Sequence, residues 1–156
     1  QLEVKNGLKE NDIVFLKIGG DYGLANLFVN DKDGFLKELW YRKSARAIHL
    51  KQVEQDIGDG KIVIFGAGHW GKRLYITLFN ELNRDIEAFC DNDISRTGKE
   101  IAGRMIKSPD QAVRDCPDAI FLIANNLYYM DCFRQLIDLG VDRRKIIFYK
   151  SIGEVF

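Results

Sequence analysis

Cysteine and histidine are scarce in this chain of 156 residues, which has three of the first and two of the second. Cys90, Cys116 and Cys132 are an odd number with no Cys-x-x-Cys spacing, which argues against a disulfide framework and a structural zinc site. A reduced, cytoplasmic setting is therefore expected. Two histidines, His49 and His69, leave little from which to build a catalytic constellation. Net charge is also absent, with 23 Lys and Arg balancing 23 Asp and Glu. No basic field exists to hold nucleic acid or an anionic membrane surface. No apolar run approaches the ~20 residues of a membrane helix, and no charged-then-apolar leader opens the chain. No internal repeat and no low-complexity tract appears. Composition is that of an ordinary globular protein, 46% hydrophobic and 29% charged, enough for one domain or one domain with an appendage. The chain begins with Gln1, and a piece of a longer protein is expected.

What is present is concentrated in Lys61-Ile-Val-Ile-Phe-Gly-Ala-Gly-His-Trp-Gly71. A strand-like apolar run leads at once into Gly-x-Gly-x-x-Gly, and helical spacing follows. Gly66 allows the tight turn off the strand, Gly68 lets a phosphate approach the backbone, and Gly71 lets the helix pack closely on the sheet. The helix start offers unpaired N–H groups and the positive end of its dipole to an anion. An acid, Asp91, lies twenty residues beyond Gly71, the distance at which dinucleotide sites hold a ribose.

Around this motif, residues 61–149 alternate between apolar runs and amphipathic stretches. Strands are expected at 62–65, 86–90, near 105–106, at 119–124 and at 146–149. Helices are expected over 70–82, from Ser108-Pro109-Asp110-Gln111 onward, and over 128–139. On the first, Leu74, Leu78 and Leu82 form a stripe with Tyr75 and Phe79 beside them. On the last, Phe133, Leu136 and Ile137 should face inward. Ser108 can cap, Pro109 suits the first helical position and Gln111 completes a capping box. Gly140 is a helix stop. The fold class is thus α/β, Rossmann-like, a five-stranded mostly parallel sheet in the order 3-2-1-4-5. That order places the Gly66 turn beside Ala124-Asn125 at the switch point where ligands bind. Residues 1–60 read as an appendage or linker, a hairpin of 13–18 and 24–29 followed by a helix over about 34–56. Leu36, Leu39, Trp40, Ile48 and Val53 are its candidate buried positions. Residues 61–150 are the nucleotide-binding domain and 151–156 a tail.

The candidate cofactor-binding residues are Gly66, Gly68, His69, Trp70, Gly71, Asp91, Asn92, Ala124 and Asn125. Asp91 at a strand end would accept ribose hydroxyls and repel a 2′-phosphate, favouring NAD over NADP, or a nucleoside diphosphate over either; Asp91-Asn92-Asp93 also has the chemistry of an Asx-turn. His69 either reaches a phosphate or is a variable position whose backbone does the binding. Trp70 reads as a core or rim aromatic before a stacking platform. Lys72 and Arg73 neutralise a phosphate or form a solvated face. Amides at Asn125 and Asn126 suit a sugar, a nicotinamide or a base, while Asn126 alone could cap the next helix. Tyr128 and Tyr129 lie near the same crevice. Arg96, Thr97 and Lys99 follow Asp91 on a loop where a second phosphate or a base edge could lie, and they read first as surface loop. No metal site is expected, because no further acid clusters near Asp91 and Asp93. No catalytic residue is assigned: the chain has no Gly-x-Ser-x-Gly elbow and no Walker lysine. Cys90 and Cys132 read as packed side chains.

Ile64-Phe-Gly-Ala-Gly-x-x-Gly71, then Phe89-Cys-Asp-Asn-Asp93, Gly98-Lys-Glu-Ile-Ala-Gly103, Ser108-Pro109, Ala124-Asn125 and the ending from Val141-Asp142 to Ile147 form an ordered set. Together they resemble a Rossmann-like module of bacterial surface-polysaccharide enzymes. Such modules stand at the front of sugar acyltransferases and membrane-anchored nucleotide-sugar dehydratases or glycosyl-phosphate transferases. They also stand at the back of sugar C-methyltransferases and beside FkbM-type methyltransferases. The resemblance covers about residues 61–150. It implies a phosphate loop at Gly66–Gly71, an acidic strand end at Asp91–Asp93, and a bound NAD(P) or nucleotide-sugar.

The expected function is therefore a non-catalytic nucleotide-binding domain, its partner a small nucleotide ligand and a fused or associated catalytic domain. A free-standing NAD-dependent oxidoreductase or epimerase is an alternative, against which the missing Tyr-x-x-x-Lys pair counts: Cys132 and Phe133 follow Tyr128 and Tyr129 by four. A methyltransferase fragment binding S-adenosylmethionine is another, but Ile64 stands where that class carries an acid. An assembly module with a vestigial pocket is the last.

Overall fold

The computed structural model describes residues 31–125 and 127–148. The hairpin expected at 13–18 and 24–29, Asn126 and Tyr149 lie outside the described residues. The elements are α1 (Lys32–Ile57), β1 (Ile62–Phe65), α2 (His69–Glu81), β2 (Ala88–Cys90), β3 (Glu100–Ile101), β4 (Arg104–Lys107), α3 (Pro109–Asp115), β5 (Ile120–Ile123), α4 (Tyr129–Asp138), a short 3-10 turn (Arg143–Lys145) and β6 (Ile146–Phe148). The chain divides into two compact units, and the break falls within α1 between Lys51 and Gln52.

The sheet has six strands in the order β3-β4-β2-β1-β5-β6. Every pair is parallel except β3 with β4. This corrects the expected five: the loop read between Gly98 and Gly103 contains an additional edge strand. Ala102 and Gly103 both have positive φ, 49° and 75°, the backbone of a two-residue hairpin turn. Two residues are too few to show an alternating pattern, so periodicity could not reveal β3.

Side chains alternate between the two faces of the sheet, and the central strands are buried on both. Val63, Phe65, Cys90, Phe121 and Ile123 share one core with Ala112, Cys116, Cys132, Leu136 and Val141. On the other face α2 buries Leu74, Tyr75 and Leu78, and the Tyr75 and Phe89 rings meet edge-on with centroids 5.8 Å apart. Phe89 and Phe121 are fully buried, each stabilising the sheet by roughly 1.5–3 kcal/mol. The apolar positions read on the helices need correction in places. Phe79, Ile137, Trp40 and Ile48 are exposed and Phe35 is buried, while Cys132 is buried as read. Spacing alone shows a stripe's direction but not its width, which the neighbouring element decides.

The helix boundaries are made locally. Ser108 caps α3 by accepting from the Gln111 N–H. After α4, Gly140 and Val141 donate to the Ile137 and Leu136 carbonyls, a Schellman ending. Asp142 then caps the 3-10 turn through the Arg144 N–H at 2.9 Å.

The Arg144 guanidinium on Asp142 holds that carboxyl at about 2, below its usual 3.8. Arg104 likewise lowers Asp85. A carboxylate depressed on folding contributes stability above its unfolded pKa, and the contribution disappears as pH falls through the folded value. The thermal midpoint is therefore expected to drop between about pH 5 and pH 2, and Asp142→Asn should flatten that drop. A pH scan of melting for both proteins checks it; identical profiles would sink the assignment to Asp142.

Candidate functional site

At its C-terminal end β1 leaves the sheet through Gly66, whose N–H donates to the Cys90 carbonyl at 2.8 Å. Gly66 has φ +113° and a side chain there would stand 3.2 Å from the Ala124 carbonyl oxygen. Only glycine adopts that backbone without strain. Gly71 is held more tightly still: a Cβ would lie 1.7 Å from the Gly66 carbonyl oxygen. The first turn of α2 thus rests directly on the loop that feeds it. Gly68 is the N-cap of α2, with no side-chain cap on the helix start, and a Cβ there would meet only the Arg96 guanidinium, at 3.2 Å.

Asp91 ties the acidic strand end to this loop. Its Oδ2 accepts from the Ala67 N–H at 2.8 Å and from Arg96 Nη1 at 3.1 Å, and its Oδ1 accepts from the Asp93 N–H at 2.9 Å. The Asx-turn reading thus holds geometrically, yet the same carboxylate is bound to the glycine loop. Asp93 in turn accepts from the Ser95 hydroxyl and backbone N–H, which hold its carboxyl below the usual range. Arg96 Nε reaches Asp93 Oδ2 at 3.2 Å.

A cleft of about 260 Å³ opens between these residues and α4. Phe65, Gly66, Asp91, Asn92, Asn125, Tyr128, Asp131 and Cys132 line it. It lies over the ends of β1, β2 and β5, where strand order reverses, the place that binds ligands in open α/β sheets. Asn92 and Gln135 exchange side-chain hydrogen bonds, both 2.9 Å, across its edge. Asn125 Oδ1 accepts from the Leu127 and Tyr128 N–H groups, so the amide ahead of α4 already serves the backbone. Two carboxylates and two amides make the cleft rich in acceptors, chemistry that suits sugar hydroxyls better than phosphate.

Of the nine candidates, Gly66, Asp91, Asn92 and Asn125 come together on the cleft. Ala124 is buried behind Gly66. Gly68, His69, Trp70 and Gly71 form the start of α2 beside it. His69 and Trp70 are exposed, with their rings edge-on at 5.2 Å, and Arg73 lies over the indole at 5.7 Å. Asp131, Gln135 and the loop contact of Arg96 were missed by sequence reasoning. The only signal for Asp131 was its place in the first turn of the helix after β5. Burial pushes the Cys90 thiol up, and burial followed by Asp131 raises Cys132 to about 11. Both stay protonated at neutral pH and are poor nucleophiles. Among the described residues no group of acids, histidines and cysteines is placed to hold a metal ion, and no helix is long and apolar enough to cross a membrane.

A parallel sheet entered through a Gly-x-Gly-x-x-Gly turn, with an acid closing on that turn, defines a Rossmann-like α/β domain. The chain belongs to the family described as C2185-like, N-terminal, whose sequence model matches residues 58–147. No curated protein matches it. Among solved structures, the UDP-D-quinovosamine 4-dehydrogenase of Vibrio fischeri is similar with a TM-score of 0.50 at 20% identity, over 62% of this chain and 91% of that chain. RSP in complex with beta-NADH is similar with a TM-score of 0.47 at 13% identity, over 83% of this chain and 74% of that one. At such identities the likeness to the dehydrogenase is one of fold.

Proposed function

We propose that residues 58–147 bind the nucleotide part of NAD(P) or of a nucleotide-sugar, as a non-catalytic domain of a sugar- or polysaccharide-modifying enzyme. One observation carries this reading: the Asp91 carboxylate is hydrogen-bonded to the Ala67 N–H at 2.8 Å. The ribose-type acid and the phosphate-type turn therefore form one unit at the edge of the cleft. In this reading Asp91 and Asn92 face the sugar, Asn125 and Tyr128 the base, and Gly68 to Gly71 the phosphates. The cleft, about 260 Å³, is smaller than the ~300–1,000 Å³ of typical ligand pockets. It suits a nucleoside half, with the remainder of the ligand lying over the loop. The shared fold with a UDP-sugar dehydrogenase supports a nucleotide-sugar beside a dinucleotide. Three buried free thiols support a reducing, cytoplasmic setting.

Calorimetric titration with NAD, NADP, a UDP-sugar and S-adenosylmethionine tests the proposal. Saturable binding of a dinucleotide or the UDP-sugar is the expected outcome. Absence of binding by all four at millimolar concentration would leave the assembly role in its place, and binding of S-adenosylmethionine alone would favour the methyltransferase fragment.

A further inference from the structure

The sequence left Arg96 between a surface loop and a contact to a second phosphate or a base edge, and its position in the fold is more specific than either. Its guanidinium is shared between two carboxylates, Nη1 on Asp91 Oδ2 at 3.1 Å and Nε on Asp93 Oδ2 at 3.2 Å. The same Nη1 stands 3.2 Å from the point where a Gly68 side chain would begin. A cation therefore occupies the approach that the side chain of any other residue at 68 would block. The loop that carries it is cross-tied: the Arg96 N–H donates to the Asp93 carbonyl at 2.9 Å, the Lys99 N–H to the Arg96 carbonyl at 3.1 Å, and the Gly98 N–H to the Ile106 carbonyl at 2.8 Å. The backbone is held while the side chain remains 41% exposed.

Building on the nucleotide reading above, we propose that Arg96 is the phosphate ligand of this site, selecting nucleotides that carry a 5′-phosphate over the bare nucleoside. Arginine presents five N–H donors in a planar fork matched to phosphate oxygens, more than two single carboxylate contacts use. The guanidinium is 41% exposed and these contacts leave donors over, so a phosphate over Gly68 can share it while Asp91 keeps its hydrogen bond. Asp91 and Asp93 keep the arginine at the loop before ligand arrives. The pairing also offsets the repulsion that Asp91 would exert on a phosphate beside it.

Titration of the whole chain with adenosine, AMP, ADP, NAD and NADP, in parent and Arg96→Ala, tests the role. Loss of charge-assisted hydrogen bonds predicts about a ten- to hundredfold loss for ADP and NAD, with adenosine changed by less than about threefold. Arg96→Lys should recover part of the loss, since it restores the charge without the fork. An equal loss for ADP and adenosine, or none for either, overturns the assignment. So does a loss confined to NADP, which would place Arg96 on the 2′-phosphate. If Arg96→Ala fails to fold, Asp93→Asn decides: freeing the guanidinium should tighten ADP and leave adenosine unchanged, and an unchanged or weaker ADP affinity overturns the proposal. A parent that binds no nucleotide overturns the nucleotide reading and this role together; a parent that binds ADP while Arg96→Ala binds it equally overturns the role of Arg96 alone.

Discussion

Gly71→Ala is expected to destabilise the domain by about 2–4 kcal/mol, lowering its melting temperature by roughly 10–25 °C. The new Cβ would stand 1.7 Å from the Gly66 carbonyl oxygen, and a backbone atom cannot swing aside as a side chain can. Either α2 lifts from the sheet, opening space beneath Leu74 and Leu78, or the turn after β1 distorts. Gly68→Ala is the matched control. Its φ is −84°, and its Cβ meets only the flexible Arg96 guanidinium, so stability should change by less than about 1 kcal/mol. Thermal and urea melts of both variants check the pair. A Gly71→Ala protein that melts with the parent would show that the close packing of α2 on the loop is wrong.

Asp91→Ala should lose stability and ligand together. The side chain is only 14% exposed, and Ala67, whose N–H it receives, is buried. Removing the acceptor leaves that donor unsatisfied, at about 1–3 kcal/mol. Arg96 loses one of its two anchors in the same step. Nucleotide affinity is expected to fall at least about tenfold, about 1.4 kcal/mol, and any preference for NAD over NADP should narrow because the carboxylate no longer opposes the extra phosphate. Melting curves with titrations of NAD and NADP separate the two roles. A lower melting point with unchanged affinities would make Asp91 a brace of the loop and nothing more.

These two residues also show how far the chain could be read before its fold was known. The glycine triplet, the apolar run before it and the amphipathic stretch after it are local in sequence. Their meaning follows from local physics, in which a tight turn and a close helix-to-strand approach demand glycine. Ser108 and Gly140 could be recognised as helix ends for the same reason, since a cap is a contact between near neighbours in the chain. The parallel order around β1 followed from alternation and short connections. The additional edge strand did not, because two residues carry no period.

Long-range geometry alone decided the rest. That Asp91 grips Ala67 across 24 positions, that Asn92 pairs with Gln135 across 43, and that Arg96 overlies Gly68 are consequences of which strand ends the sheet brings together. No spacing rule reports such contacts, because each depends on side-chain reach between segments joined only through the core. The chain's local chemistry determined a Rossmann-like turn and its place at a strand end. The tertiary structure decided which side chains close around that turn, since hydrogen-bond partners distant in sequence become neighbours only once the sheet has assembled.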